Sequence, residues 1–308
     1  MANEITYASL TDLRVAELLH KTIQFLLHDP TDLRKTMVFQ PFMNNAGSSA
    51  MKTGQVQPIY SMSAPGEATG VANTALTDAS FLLTIAKYNL QQELTDLAQI
   101  TAPKGGLDMQ KLASMAGMSV TYNLSAMLTA AFASVTANVT DTGVNLTTDH
   151  ISTAQYTLEQ ADVPGPYYCV LAKVQFTDFQ DSLEGIGGPL QWVAATAEML
   201  NIKGPGYKGN WKGIEFYTHA SVPTVNAGAD YAGCMYGMGA FAYTEADTGS
   251  IEKFLSTYQK LPGLKALVEF KRPDDANGGT GSTRMITHTY PAVSISENAR
   301  AVKIVTDA

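Results

Sequence analysis

The chain has 308 residues, enough for one large or two ordinary domains. Apolar residues make up 45% and charged residues 16%, well under a usual charged share of about 25%, and the net charge is −8. An acidic chain with no run of Lys and Arg is excluded as a general nucleic-acid binder, two cysteines exclude a disulfide framework, and no apolar run approaches the roughly 20 residues of a membrane span. The polar start MANEITYASL does not read as a signal peptide, so a soluble protein made in a reducing cytoplasm is expected, with Cys169 and Cys234 as buried free thiols. Thr, Ser, Asn, Gln, Gly and Ala fill the charge deficit. Uncharged polar groups are cheaper to desolvate, which suits a surface largely covered by partners.

In chain order, an extended start leads to a helix through DLRVAELLHKTIQFLLHD, capped by Thr11 and ended by Pro30. Its stripe Leu13, Leu19, Ile23 and Leu26 must be buried on something. Residues 52–88 read as one long hairpin: MKTGQVQPIYSM goes out, SAPGEATGVANTA is a small-residue tip, and SFLLTIAKYNLQQEL returns as a strand. Too few large side chains stand outside the return strand for this arm to fold alone, so it is expected to pair elsewhere. Asp108 opens a long helix over 108–136, with Leu112, Met115, Ser119, Tyr122, Ala126 and Thr129 in helical rhythm. Residues 147–162 form a second helix with the face Ile151, Ala154 and Leu158. A buried strand around Tyr168 to Ala172 and a helix near 175–184 follow. PLQWVAATAEML is expected as a helix, and KGNWKGIEFYTHASVP as a strand with its turns. The segments LKALVEFKRP, TRMITHTYPAVSI and ARAVKIVT alternate as closing antiparallel strands.

Residues 237–242, Gly-Met-Gly-Ala-Phe-Ala, match G-x-G-x-x-A, the signature of a dinucleotide-binding turn. That turn needs a strand before the glycines and a helix straight after. AFAYTEADTGS reads instead as more strand and a turn, so packing glycines are expected. GGTGST at 278–283 lacks the Lys-Ser/Thr of a phosphate loop and is read as a hairpin turn. His20, His28, His150, His219 and His288 show no metal or catalytic spacing, and each is expected to be a surface or hydrogen-bonded histidine. The residues carry no catalytic, cofactor or metal signature.

The order of elements does carry a signal. A helical arm, a long hairpin, a strand, a long helix, a compact α/β block and closing strands give an α+β chain that resembles the major capsid proteins of tailed bacteriophages, the Hong Kong 97-like fold. LTTDHISTAQYTLEQADVPGPYYCVLAKVQFTDFQDSLE, GNWKGIEFYTHASVPTV with YAGCMYGMGAFAY, and ALVEFKRP with TRMITHTYPAVSISENARAVKIVT carry the likeness. It implies an N-terminal arm over 1–44 and an extended loop over 45–86 lying across a neighbouring subunit. It also implies a peripheral domain over 87–145 and 266–308 with the spine helix, and an axial domain over 146–265. Hexamers and pentamers would build an icosahedral head in the host cytoplasm, enclosing double-stranded DNA without sequence-specific binding. Separate scaffolding, portal and decoration proteins are implied as partners, with no membrane and no cofactor. Leu13, Leu19, Ile23, Leu26, Lys52 and Glu67 are the inter-subunit candidates. Lys52 is the loop's one lysine and lies near its base, so a covalent crosslink there is not expected. The alternatives are an encapsulin-like shell around an enzyme cargo, a tail or decoration protein, and a nucleotide-binding α/β enzyme using Gly237 and Gly239.

A protease test follows from the residue spacing. Between Glu17 and Glu93 the one glutamate is Glu67, and between Lys35 and Lys87 the one trypsin site is Lys52. A glutamate-specific protease is expected to cut unassembled protein early at Glu67, with trypsin slower at Lys52. Both cuts should slow by orders of magnitude on assembly, because cleavage follows local opening. Equal cleavage at Glu67 in free and assembled protein would show that the hairpin is no inter-subunit clamp.

Overall fold

The structure is a computed structural model that describes residues 4–5, 31–42, 48–56, 78–95, 109–185, 192–253, 258–261, 264–271 and 282–307. The first elements are strands β1 (Glu4–Ile5), β2 (Val38–Phe39), β3 (Ala50–Val56), β4 (Asp78–Thr84) and β5 (Tyr88–Thr95), then helix α1 (Met109–Ala131). Next come β6 (Asn138–Thr140), α2 (Thr148–Gln160), β7 (Tyr167–Leu171), α3 (Lys173–Gly185), β8 (Trp192–Ala194) and α4 (Ala197–Lys203). The hairpin β9 (Tyr207–Trp211) and β10 (Ile214–Thr218) precedes β11 (Thr224–Val225), β12 (Asp230–Gly237), β13 (Phe241–Glu245) and the one-turn α5 (Gly249–Glu252). The chain closes through β14 (Tyr258–Lys260), β15 (Ala266–Lys271), β16 (Ser282–Thr289), β17 (Pro291–Ile295) and β18 (Ala301–Asp307).

An eight-stranded sheet is ordered β6-β18-β12-β7-β10-β9-β8, with β11 added beside β12. Successive side chains of β7 go to opposite faces, as a pleated strand requires. Cys169 and Leu171 meet Ile151, Ala154 and Leu158 of α2 and Phe176, Phe179 and Leu183 of α3 on one face. Tyr168 and Val170 meet Leu128 of α1, Phe132, Leu33 and Met37 on the other. Helix α2 starts at a capping box, in which the Thr147 backbone N–H donates to His150 Nδ1 at 3.1 Å. The two-residue β9–β10 turn is Lys212–Gly213, both at positive φ (51° and 81°), as a tight hairpin needs.

The first half of α1 lies on a second, five-stranded sheet, β1-β5-β16-β15-β14, through Ala116, Val120 and Leu124 against Leu261, Val268 and Met285. A three-stranded sheet, β17-β13-β2, joins the two. The β3–β4 ribbon packs on this third sheet through Phe81 and Leu83, which contact Ala242 and Ala292.

The structure corrects several expectations. The buried stripe of α1 is Ala116, Val120, Leu124 and Leu128, one step around from the expected face, and Ser119 and Tyr122 are exposed. The helix ends at Ala131 and a 3-10 turn, Phe132–Ser134, follows, short of the expected 136. Trp192–Ala194, expected in a helix, is an edge strand paired to β9, and helix α4 starts only after the Thr196 cap. Its pairing depends on Gly209, where a Cβ would stand 2.4 Å from Val193 O and 2.7 Å from the Trp192 ring. The expected return strand 80–94 is two strands in different sheets, and TRMITHTYPAVSI likewise breaks at Tyr290. Residues 138–140 and 301–307 pair into the eight-stranded sheet, and 258–260 pair with β15. Residues 31–42, expected as the end of the arm, are held inside the subunit: Leu33 is fully buried, and β2 pairs with β13.

Phe179 anchors the aromatic group beneath α3. It stacks on Phe216 at 4.8 Å and meets Trp211 edge-on at 5.4 Å. Phe179→Ala is expected to cost about 3–5 kcal/mol, a large part of the roughly 5–15 kcal/mol of a whole domain. Urea unfolding of the dissociated subunit would read this as a fall in midpoint; a wild-type midpoint would mean that the group is not the anchor described.

Candidate inter-subunit surfaces and the glycine turn

The glycine motif is a joint between sheets. Strand β12 ends at Gly237, the chain turns through Met238 and Gly239, and β13 begins at Phe241. No helix follows, so no helix N-terminus faces a phosphate position. The turn is closed by the Ala240 N–H donating to Gly237 O at 3.2 Å. The Ser296 and Glu297 backbone N–H groups donate to Ala240 O at 2.8 and 3.2 Å, and the Arg300 guanidinium donates to Met238 O at 3.2 Å. The two glycines serve different ends. Gly239 has φ +89° with its nearest outside atom 3.5 Å from a would-be Cβ, so conformation requires it. At Gly237 a Cβ would meet Val163 Cγ1 at 2.5 Å, so close packing requires it.

The other sequence candidates divide by place. Lys52 is exposed on β3, opposite Leu82 of β4, which is 54% exposed. Leu13, Leu19, Ile23, Leu26 and Glu67 lie outside the described residues, as do His20, His28 and most of GGTGST. Of the six candidates, only Lys52 lies among the described residues. Apolar side chains that the sequence left unassigned are exposed at the free edge of the eight-stranded sheet: Val193, Leu200 and Ile202. No sequence signal marked them, because the three-residue strand and the two-turn helix read together as one helix.

The polar groups are mostly structural. His150 Nε2 pairs with Asp141 at 3.2 Å, and His288 Nε2 with Glu269 at 3.0 Å across β15 and β16. Glu93 is buried against Arg284 at 3.1 Å. Both cysteines are free and buried, and burial pushes each thiol well above its ordinary range, which removes the thiolate. His219 departs from expectation: it is 3% exposed, and its Nε2 has no hydrogen-bond partner among the described residues. Among those residues no group of His, Cys, Asp and Glu has metal-ligand geometry, and no helix is long and apolar enough to cross a membrane.

No family profile and no curated protein matches the chain. Solved structures do. The capsid of the cyanophage P-SCSP1u superposes with a TM-score of 0.62 at 14% identity, over 95% of this chain and 94% of that one. The capsid of Ralstonia phage GP4 gives 0.60 at 11% identity, over 94% of each chain. The SrpI encapsulin of Synechococcus elongatus gives 0.61 at 10% identity, over 96% of this chain and 94% of that one. The chain therefore has the mixed helix-and-strand fold of phage capsid subunits.

Alanine substitutions separate the roles of the two glycines. Gly239→Ala is expected to cost about 1–2 kcal/mol through its backbone angle alone. Gly237→Ala is expected to cost about 1–3 kcal/mol by displacing Val163, and Val163→Ala in the same chain should restore part of it. Thermal unfolding reads both, and neither variant should change affinity for NAD or ATP. Saturable nucleotide binding by the wild type that Gly239→Ala abolishes would overturn the structural role.

Proposed function

We propose that this chain is the major capsid protein of a tailed phage, assembling into hexamers and pentamers of an icosahedral head around double-stranded DNA. The carrying observation is the end-to-end match with capsid subunits, 94–95% of both chains for the cyanophage capsid. Two physical features support it. A two-stranded ribbon is marginal by itself, and β3–β4 is anchored through the Phe81 and Leu83 side while Leu82 stays exposed. A neighbouring subunit would cover that side. The low charge share also suits extensive contact between copies.

On this reading, residues up to 30 form the arm whose stripe Leu13, Leu19, Ile23 and Leu26 seats on a subunit surface. Residues 45–86 form the extended loop that carries Lys52 and Glu67 across a neighbour. The axial unit is the eight-stranded sheet with α2 and α3, and the peripheral unit is the five-stranded sheet under the first half of α1. Head assembly in the host cytoplasm, with separate scaffolding, portal and decoration proteins, belongs to the same proposal, as does a structural rather than catalytic role. The SrpI match keeps one second reading, an encapsulin-like shell around a protein cargo.

Negative-stain microscopy and sedimentation of the expressed protein test the proposal. Closed shells or capsomer-sized rings are expected, and native particles should hold DNA. Shells with protein cargo and no DNA would select the encapsulin reading. A protein that stays monomeric across concentration, salt and crowding conditions would remove both.

A further inference from the structure

A cavity of about 500 Å³ opens where α1, the start of α3, β9 and the end of β10 meet. Ser119 and Tyr122 come from α1, Lys173 from α3, Lys208 from β9, and Thr218 and His219 from the end of β10 and just beyond. No carboxylate lines it among the described residues, although the chain as a whole carries 28 acidic against 20 basic residues. Lys173 and Lys208 have no ion-pair or hydrogen-bond partner for their ammonium groups among the described residues.

The histidine completes the pattern. His219 Nδ1 accepts the Ser221 backbone N–H at 3.1 Å, so it holds no proton of its own. Burial holds the ring down to about 4, so it is neutral near pH 7. The single ring proton is then on Nε2, which is sealed from solvent and lacks an acceptor among the described residues. The ring is fixed in place: Tyr122 lies 5.2 Å away, centroid to centroid, and its hydroxyl bonds to Ser221 Oγ at 2.6 Å. A buried donor without an acceptor is destabilising. Lys173, the first residue of a 13-residue helix, and Lys208 thus line one cavity with His219, and no carboxylate lines it among the described residues.

We propose that this cavity binds a small oxyanion, a phosphate or a carboxylate, with Lys173 and Lys208 holding its charge and the His219 edge bordering its inner end. A cavity of about 500 Å³ admits a compact group. Two sources offer this chemistry: a free ion, or an acidic side chain of a second copy of this chain. The site itself stands whether or not the chain builds a shell.

Isothermal titration of inorganic phosphate, and separately acetate, into the purified protein at pH 7 and constant ionic strength tests it. Saturable binding that weakens with salt is expected. Lys173→Gln with Lys208→Gln should weaken it about tenfold or more, since hydrogen bonds to charged groups are the strong ones. Lys87→Gln, at an exposed lysine that does not line the cavity, should leave it within about twofold. Unfolding curves confirm that the double variant is folded; if it is not, the Lys208→Gln single variant carries the same test with a smaller loss. No saturable heat beyond a matched chloride titration, or equal affinity in the folded lysine variants, overturns the site. The source is read from self-association of the wild type. If phosphate lowers it and the double variant associates less, the occupant is a second copy's carboxylate. If phosphate leaves association unchanged or strengthens it, the occupant is the free ion.

Discussion

Strand β12 is paired on both edges and covered on both faces, and both large cores are built against it. β7 runs antiparallel on one side and β18 antiparallel on the other. Its side chains alternate between the cores: Met235 faces the α2–α3 side, while Cys234 and Tyr236 face the α1 side. Such a strand has no solvent face on which to place an unsatisfied polar group. Two details show how it meets this constraint. Gly233 leaves room for Gln175, since a Cβ there would stand 2.9 Å from Gln175 Oε1. Gln175, itself fully buried, accepts from the Ala172 N–H at 3.1 Å and donates to Tyr231 O at 3.1 Å and Thr306 Oγ1 at 2.8 Å. The buried Tyr236 hydroxyl bonds to Thr36 Oγ1 at 2.7 Å. One amide thus clamps α3 to two strands, and one phenol draws residues 31–37 into the body.

The second half of the architecture depends on β12 through α1. Leu128 and the following Phe132 rest on the β12 core, while Ala116, Val120 and Leu124 rest on the five-stranded sheet. A 23-residue helix spans roughly 35 Å, so one rigid element fixes both sheets. Its buried hydroxyls are matched among the described residues. Ser125 Oγ donates to Thr31 O at 2.8 Å and accepts from the Leu33 N–H at 3.2 Å, and Thr129 Oγ1 donates to Ser221 O at 2.9 Å. The other link is the Gly237–Ala240 turn, which carries β12 directly into the joining sheet. Two independent connections between the same bodies resist rotation where one would act as a hinge.

What the sequence revealed follows the strength of the local pattern. Ile151, Ala154 and Leu158 were legible because polar residues fill the rest of α2, leaving one apolar face, and all three are fully buried. In α1 apolar and small residues lie all around, so the stripe through Ser119 and Tyr122 looked as good as the true one through Val120 and Leu124. Tertiary contact with two sheets chose between them. The Trp192 segment misled because three edge residues are too few to show a period of two, and their partners on a glycine-containing strand are 15 to 19 positions on. Breaks such as Tyr290, where one apparent strand serves two sheets, are set by the third dimension and leave no mark in alternation. Lys173, Lys208 and His219 were equally silent: no spacing joins them, and only the fold brings them to one cavity.

The fold holds at 10–14% identity with the capsid and encapsulin structures because what it requires is a pattern of burial rather than a set of reacting groups. Met235 against Phe216, or Val120 against Val268, can be replaced by other apolar pairs of similar volume without changing the architecture. Positions with geometric demands are fewer: Gly237 against Val163, Gly209 under Trp192, and Gly213 in its hairpin. A shell subunit would need little more, since its work is to present fixed surfaces to copies of itself. Charge is distributed accordingly. Arg34, Arg284, Arg300, Lys203 and Lys260 each pair with a carboxylate inside the subunit. Lys173 and Lys208 line one cavity that no carboxylate lines among the described residues.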